Sequence, residues 1–152
     1  MKRNIFILSV LFVVLSWTIN AQQRIIGGSN ANISEAPWQV LIQISNGEFG
    51  GGSIIAPNVI LTAAHVVEKA TTSQIQVGAG ISKRSELNAS SRYGVSKVIC
   101  HPTLDAALLI LSRNLPIGNN IKTIDILNSN KSSLYNVGNT VFITGWVLMH
   151  QE

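Results

Sequence analysis

The sequence predicts an all-β protein built as an antiparallel barrel or sandwich. Six short apolar segments alternate with turn-forming residues such as Asn46-Gly47 and Pro57-Asn58, and no stretch has the pattern of a long helix. With 152 residues, 46% of them hydrophobic and only 12% charged, the chain can bury the core of one ordinary domain.

Each predicted strand is a short apolar run that ends at a turn or a polar stretch. We expect strands over residues 38–44, 52–56, 59–65, 75–79, 93–99 and 106–111. The first alternates imperfectly between apolar and polar residues, and the last is continuously apolar, as is typical of a buried strand. Residues 112–138 are rich in Asn, Ser, Gly and Lys and predict a connection, after which 139–146 predict a new strand.

Residues 1–21 have the pattern of a secretory signal peptide. Lys2 and Arg3 precede an apolar run over 5–19, and Ala21 is the small residue after which cleavage is expected. A membrane anchor is the alternative, but this run is short for spanning a bilayer and is interrupted by Ser and Thr. We therefore predict a secreted protein, extracellular or periplasmic, without membrane association once the signal is removed.

The net charge of +4 does not indicate a nucleic-acid partner. Lys2, Arg3 and Arg24 lie in segments that we expect to be removed, which leaves eight basic residues against seven acidic ones. No basic run interleaved with aromatic residues remains, so nucleic-acid binding is not expected.

Two residues are candidates for acid–base chemistry. His65 follows an apolar strand and two alanines, and an imidazole can accept and return a proton near neutral pH. Asp105 opens an apolar strand, where a carboxylate needs a hydrogen-bond donor. By residue type alone a structural role is the more frequent one for His65, and Asp105 fits a turn cap as well as a partner of His65.

The segments around these residues resemble trypsin-like (chymotrypsin-fold) serine proteases. Leu61-Thr62-Ala63-Ala64-His65 is similar to the segment that carries the general base of that family. Five further segments follow the family's order: Arg24-Ile25-Ile26-Gly27-Gly28, Ala36-Pro37-Trp38-Gln39-Val40, Gly51-Gly52-Ser53-Ile54-Ile55, Asp105-Ala106-Ala107-Leu108-Leu109 and Ile143-Thr144-Gly145-Trp146. Six such segments over residues 24–146 are specific, whereas one would not be.

The resemblance implies the first β-barrel of a two-barrel fold over 25–111, an inter-barrel connection over 112–138, and the first strand of an incomplete second barrel over 139–146. Residues 147–152 lie outside the family pattern. His65 becomes the general base and Asp105 the residue that orients it. Residues 22–24 become a short activation peptide, cut after Arg24 to free the ammonium group of Ile25; a plain surface N-terminus is the alternative. The implied partners are protein or peptide substrates.

The chain departs from the family pattern in three places. Gly50 and Val66 stand where the family usually has two cysteines, and Cys100, the single cysteine, is expected to be a buried thiol. The loop between Pro102 and Asp105 has only two residues, which is shorter than the family pattern. Either the substrate cleft is more open than in the family, or Asp105 is less well positioned. The Gly-Asp-Ser-Gly-Gly segment that carries the nucleophile is absent from these 152 residues.

His101 and His150 are weaker candidates. His101-Pro102 resembles a dipeptide that is structural in the family, and His150 lies beyond the matching segments. A zinc site of His65, His101 and Asp105 matches no metal-binding spacing, so we expect neither metal nor cofactor.

Two functions follow. The first is a secreted trypsin-like serine endopeptidase, working through an acyl-enzyme, of which this sequence is the N-terminal part and therefore inactive as given. Loss of the nucleophile alone costs a subtilisin-type protease roughly a million-fold in turnover. The alternative is a non-catalytic truncated homologue that acts as a secreted binding module or is a non-functional fragment.

Overall fold

A closed antiparallel β-barrel forms the centre of the computed structural model, which describes residues 28–128, 133–134 and 136–146. Its strands are β1 (Gln39–Ile44), β2 (Phe49–Ala56), β3 (Val59–Thr62), β4 (Ile75–Ala79), β5 (Arg92–Cys100) and β6 (Ala107–Leu111). Around the barrel they follow the order β1-β2-β3-β6-β5-β4. The predicted all-β barrel is therefore confirmed, and the sandwich alternative is wrong.

Strand β1 closes the barrel because it pairs on both sides. Val40 lies opposite Gly52 of β2 and opposite Ala79 of β4. The predicted turn at Asn46-Gly47 joins β1 to β2, with Gly47 at φ +94°, a left-handed conformation that glycine adopts without strain. Closure leaves no unpaired edge on this sheet, which removes a route to strand-mediated aggregation.

The barrel interior is filled by side chains that alternate along the strands. The largest fully buried ones of this cluster are Ile42, Ile54, Ile60, Ile75 and Leu109. Burial of one such side chain is worth about 1.5–3 kcal/mol. Leu41 faces outward yet is only 1% exposed, because Ile81 and Leu87 approach the same point beside Gly78. Because both faces of β1 are covered, apolar residues occur on both of them, and the apolar–polar alternation of its sequence is imperfect.

Strand β3 is shorter than predicted. It ends at Thr62, and a single helical turn, α1 (Ala64–Val67), follows after Ala63. His65 therefore lies on α1 and not at the end of a strand. Thr62 is held by its own hydroxyl, which donates to the Gly51 carbonyl at 2.8 Å, and alanine favours the helix that begins next.

The first part of the connection packs along the barrel. The backbone N–H of Leu115 donates to the Pro57 carbonyl at 2.7 Å, and that of Ile124 donates to the Ile54 carbonyl at 2.8 Å. Leu115 and Ile121 are 3% and 9% exposed. Leu115 and Ile121 therefore pack against the barrel although they lie outside its strands.

The predicted strand over 139–146 is not formed, because none of the described residues pairs with it. Phe142 and Ile143 are 93% and 83% exposed, while Thr144 donates through its hydroxyl to the side-chain oxygen of Gln39 at 2.9 Å. An apolar sequence forms a strand only where a neighbouring backbone accepts its hydrogen bonds.

The prediction of a buried Cys100 is also wrong. Cys100 is exposed because it is the last residue of β5, beside residues 101–105, all of which are exposed. Within the described part of the chain, no helix has the length and apolar character that a membrane crossing requires.

Helix α1 is packed onto β2 without a covalent link. A Cβ atom placed on Gly50 would lie 2.7 Å from Cγ1 of Val66, so the valine side chain occupies the space that a side chain at position 50 would need. The same Cβ would lie 3.5 Å from the Cβ atom of Val66. Disulfides have Cβ–Cβ separations of about 3.5–4.5 Å.

This spacing predicts that the paired substitutions Gly50→Cys and Val66→Cys form a disulfide. Closing a loop of this length stabilises a protein by roughly 3 kcal/mol. Peptide mapping without reductant should show residues 50 and 66 in one cross-linked fragment. Each single substitution is the control, with Cys100→Ser in every variant to prevent exchange. Free thiols at both positions after air oxidation would contradict the observed packing of α1.

Candidate active site

His65 is presented to solvent by the burial of its neighbours. Ala64 and Val67 lie on one face of α1 and are 7% and 1% exposed, which anchors the turn on the barrel. The side chain of His65 points away from that face and is 69% exposed. Local packing therefore sets the direction of the imidazole.

Asp105 is brought to the same end of the barrel by strand pairing. It lies between β5 and β6, two residues before Ala107. Ala107 pairs with Thr62, and Thr62 lies three residues before His65. Since the strands are antiparallel, the chain leaving β3 and the chain entering β6 meet there.

Two hydrogen bonds join the two residues. Nδ1 of His65 lies 2.6 Å from Oδ2 of Asp105, and the backbone N–H of His65 donates to Oδ1 at 2.9 Å. An ionised carboxylate only accepts, so Nδ1 carries a proton, and in the neutral ring Nε2 is then the nitrogen with the lone pair. Both carboxylate oxygens are used, which fixes the imidazole relative to the turn that carries it.

The short loop before Asp105 has not displaced it from His65. Of the two predicted consequences of that loop, poor placement of Asp105 is not observed. The sequence predicted the side-chain pair, but it missed the second donor. The sequence could not indicate this donor, because a backbone N–H does not depend on residue type.

The pKa of the Asp105 carboxyl is held below its ordinary value of 3.8. The main cause is the hydrogen bond from the His65 backbone N–H, followed by the bond to the imidazole, while partial desolvation opposes them. Asp105 is therefore ionised at neutral pH. With side chains 69% and 59% exposed, solvent screens the attraction, so orientation matters more here than stabilisation.

A shallow cleft of about 320 Å³ borders His65. It lies between the turn joining β1 to β2, which contributes Glu48, and the residues after α1, which contribute Lys69. Phe49 supplies an apolar wall. The arrangement places the imidazole of His65 at the margin of a concave surface.

The remaining predicted residues are not brought into this pair. His101 uses Nδ1 to accept the backbone N–H groups of Thr103 and Leu104, at 3.2 and 3.0 Å. Among the described residues, no three His, Cys, Asp or Glu side chains gather as metal ligands would. Arg24, Ile25 and His150 lie outside the described residues.

The lowered pKa of Asp105 predicts the response of folding to acid. A carboxyl group whose pKa is depressed in the folded state stabilises that state fully above 3.8, and the stabilisation is lost as the pH falls through the folded value. The unfolding free energy of the natural chain should therefore exceed that of Asp105→Asn at about pH 6, and the excess should be smaller at about pH 2.

Urea unfolding followed by tryptophan fluorescence measures this difference at both pH values. Asp125→Asn, which removes the other aspartate of the chain, is the matched control for the loss of one negative charge. An excess that persists unchanged at the lower pH would show that Asp105 is not held by His65.

Comparison with known proteins shows the family to which the chain belongs. The sequence model of the trypsin family, described as "Trypsin", matches residues 25–152. Hypodermin-B of Hypoderma lineatum is 42% identical over 110 residues, covering 68% of this chain and 42% of that protein. Trypsin alpha of Drosophila melanogaster is 29% identical over 161 residues, covering 96% of this chain and 60% of that protein.

A solved structure shares the fold. The crystal structure of the scabies mite inactivated protease paralogue S-D1 superposes with a TM-score of 0.62 at 26% identity, covering 68% of this chain and 46% of that chain. The chain thus spans about half the length of the proteins that it matches. Because the family model matches well over half of its residues, and the barrel is the one that its motifs predict, the chain belongs to the trypsin family of serine proteases.

Proposed function

We propose that the chain is the part of a secreted serine endopeptidase that carries the general base and its orienting carboxylate. The observation that supports this most is the double contact of Asp105 with His65, through Nδ1 at 2.6 Å and through the backbone N–H at 2.9 Å. A non-catalytic protein does not require an ionised carboxylate hydrogen-bonded to an exposed imidazole.

In this proposal Nε2 of His65 takes the proton of a serine nucleophile and later returns it to the leaving amine. Asp105 keeps Nδ1 protonated, which holds the required tautomer, and stabilises the imidazolium that forms during attack. The substrates are proteins or peptides, which bind along the cleft beside His65. Substrate preference belongs to residues outside the barrel described above.

Two further parts of the proposal concern processing. Residues 1–21 direct secretion, and cleavage after Arg24 frees the ammonium group of Ile25, as in a zymogen. A buried ammonium group needs a carboxylate partner, since desolvating it alone costs several kcal/mol.

The polypeptide of 152 residues by itself should not hydrolyse peptide bonds. It contains no Gly-Asp-Ser-Gly-Gly segment, and therefore no serine placed for attack and no oxyanion hole from that segment. A fluorophosphonate probe, which labels activated serines, should leave the chain unlabelled while an intact trypsin in the same reaction is labelled. Labelling of this chain would show that another serine acts as nucleophile.

A non-catalytic role is the second candidate. It is supported by the similarity to the scabies mite paralogue, a protein described as an inactivated protease. In this case the chain is a truncated homologue that serves as a secreted binding module or has no function.

The coding sequence after Glu152, read in all three frames, separates the two candidates. The endopeptidase proposal predicts a segment resembling Gly-Asp-Ser-Gly-Gly within it, preceded by strands of a second barrel. A stop codon in the frame of Glu152, with no such segment in any frame, would leave the non-catalytic role.

A further inference from the structure

We propose that His101 is the positioning residue that holds Asp105 against His65, by capping the loop over 102–105 with its imidazole. The inference rests on the proposed role of Asp105 as the carboxylate that orients the base. In this inference His101 acts only by positioning Asp105 and does not contact the substrate.

The loop cannot be held by packing. All residues from His101 to Asp105 are exposed, and Leu104, its one large apolar side chain, is 63% exposed. An exposed loop samples many conformations unless hydrogen bonds select one of them. The placement of the Asp105 carboxylate within hydrogen-bond distance of His65 therefore depends on polar contacts inside this loop.

Those contacts converge on His101. Its Nδ1 accepts the backbone N–H of Thr103 at 3.2 Å and that of Leu104 at 3.0 Å. Its own backbone N–H donates to the Ala106 carbonyl at 2.8 Å, and the Ala106 N–H donates to the Leu104 carbonyl at 2.8 Å. The residues on both sides of Asp105 are thus held by hydrogen bonds. Pro102 has a fixed φ angle and no backbone N–H to donate.

This arrangement requires a particular form of the ring. A nitrogen that accepts two N–H groups must keep its lone pair, so in this arrangement the ring proton of His101 lies on Nε2. His65 has the opposite tautomer, because its Nδ1 faces a carboxylate. The two histidines can therefore be distinguished by which ring nitrogen carries the proton, Nε2 in His101 and Nδ1 in His65.

Hydrogen exchange of the His65 amide tests the proposal, because that amide is bonded to Oδ1 of Asp105. In the full chain at about pH 7.5, exchange measured by NMR should be slow for His65 and for Leu104. The His101→Ala variant should exchange both amides about fivefold faster or more, as loss of one hydrogen bond predicts. The Val77 amide, inside the barrel, should be unaffected.

Two further variants distinguish positioning from general destabilisation. His101→Asn should restore slow exchange at His65, because an asparagine oxygen accepts the N–H two residues later, as in an Asx turn. Thr103→Val is the matched control: it removes a hydroxyl 3.4 Å from Nδ1 and keeps the backbone donor, so His65 should exchange as in the natural chain.

The outcomes separate this inference from the proposed function. If the His65 amide exchanges at the same rate in His101→Ala as in the natural chain, His101 does not position Asp105, and the His65–Asp105 pair stands. If that amide is unprotected in the natural chain, its bond to Oδ1 of Asp105 is not kept, the double contact that supports the proposed function is lost, and both proposals fail.

Should His101→Ala not fold, the natural chain still decides the question. Long-range ¹⁵N–¹H spectra should show His101 protonated on Nε2 and not on Nδ1, with the reverse for His65. A proton on Nδ1 of His101 would overturn the proposal.

Discussion

The pairing of β3 with β6 is the constraint on which the rest of this structure depends. It places Thr62 opposite Ala107, and thereby brings a histidine and an aspartate that are 40 residues apart to one end of the barrel. A shift of one residue in this register would turn the alternate side chains of the shifted strand to the other face. The buried side chains Ile60 and Leu109 oppose such a shift, so the core that stabilises the barrel also positions the site.

The site itself is built from exposed elements that are held in different ways. His65 lies on a single helical turn, anchored by buried Ala64 and Val67 and by the contact of Val66 with Gly50. Asp105 lies on a loop with no buried side chain, in which hydrogen bonds replace packing. Packing directs the imidazole and polar contacts direct the carboxylate, which explains how an exposed pair keeps a defined geometry.

Membership of the trypsin family and the geometry of the His65–Asp105 pair are the two findings on which the proposed function rests. The barrel supplies a proton acceptor, a carboxylate and the margin of a cleft. The electrostatic stabilisation of the oxyanion, usually the largest contribution to acyl transfer, belongs to a segment that these 152 residues do not contain. In the proposed function, orientation of His65 by Asp105 contributes to catalysis only together with a serine nucleophile.

Much of the barrel was predictable from local sequence, since strand segments are short apolar runs between turn residues; the fourth strand, Ile75–Ala79, has the predicted bounds. The motifs around His65 and Asp105 also predicted which residues would pair. Local sequence failed where the outcome depends on neighbours. A single helical turn is too short to show periodicity, residues 139–146 meet no pairing strand among the residues that the structure describes, and Cys100 is exposed because the chain turns beside it. The bond from the His65 amide to Asp105 was decided by the tertiary structure alone, because every residue except proline has such a donor and only strand register determines which acceptor it meets.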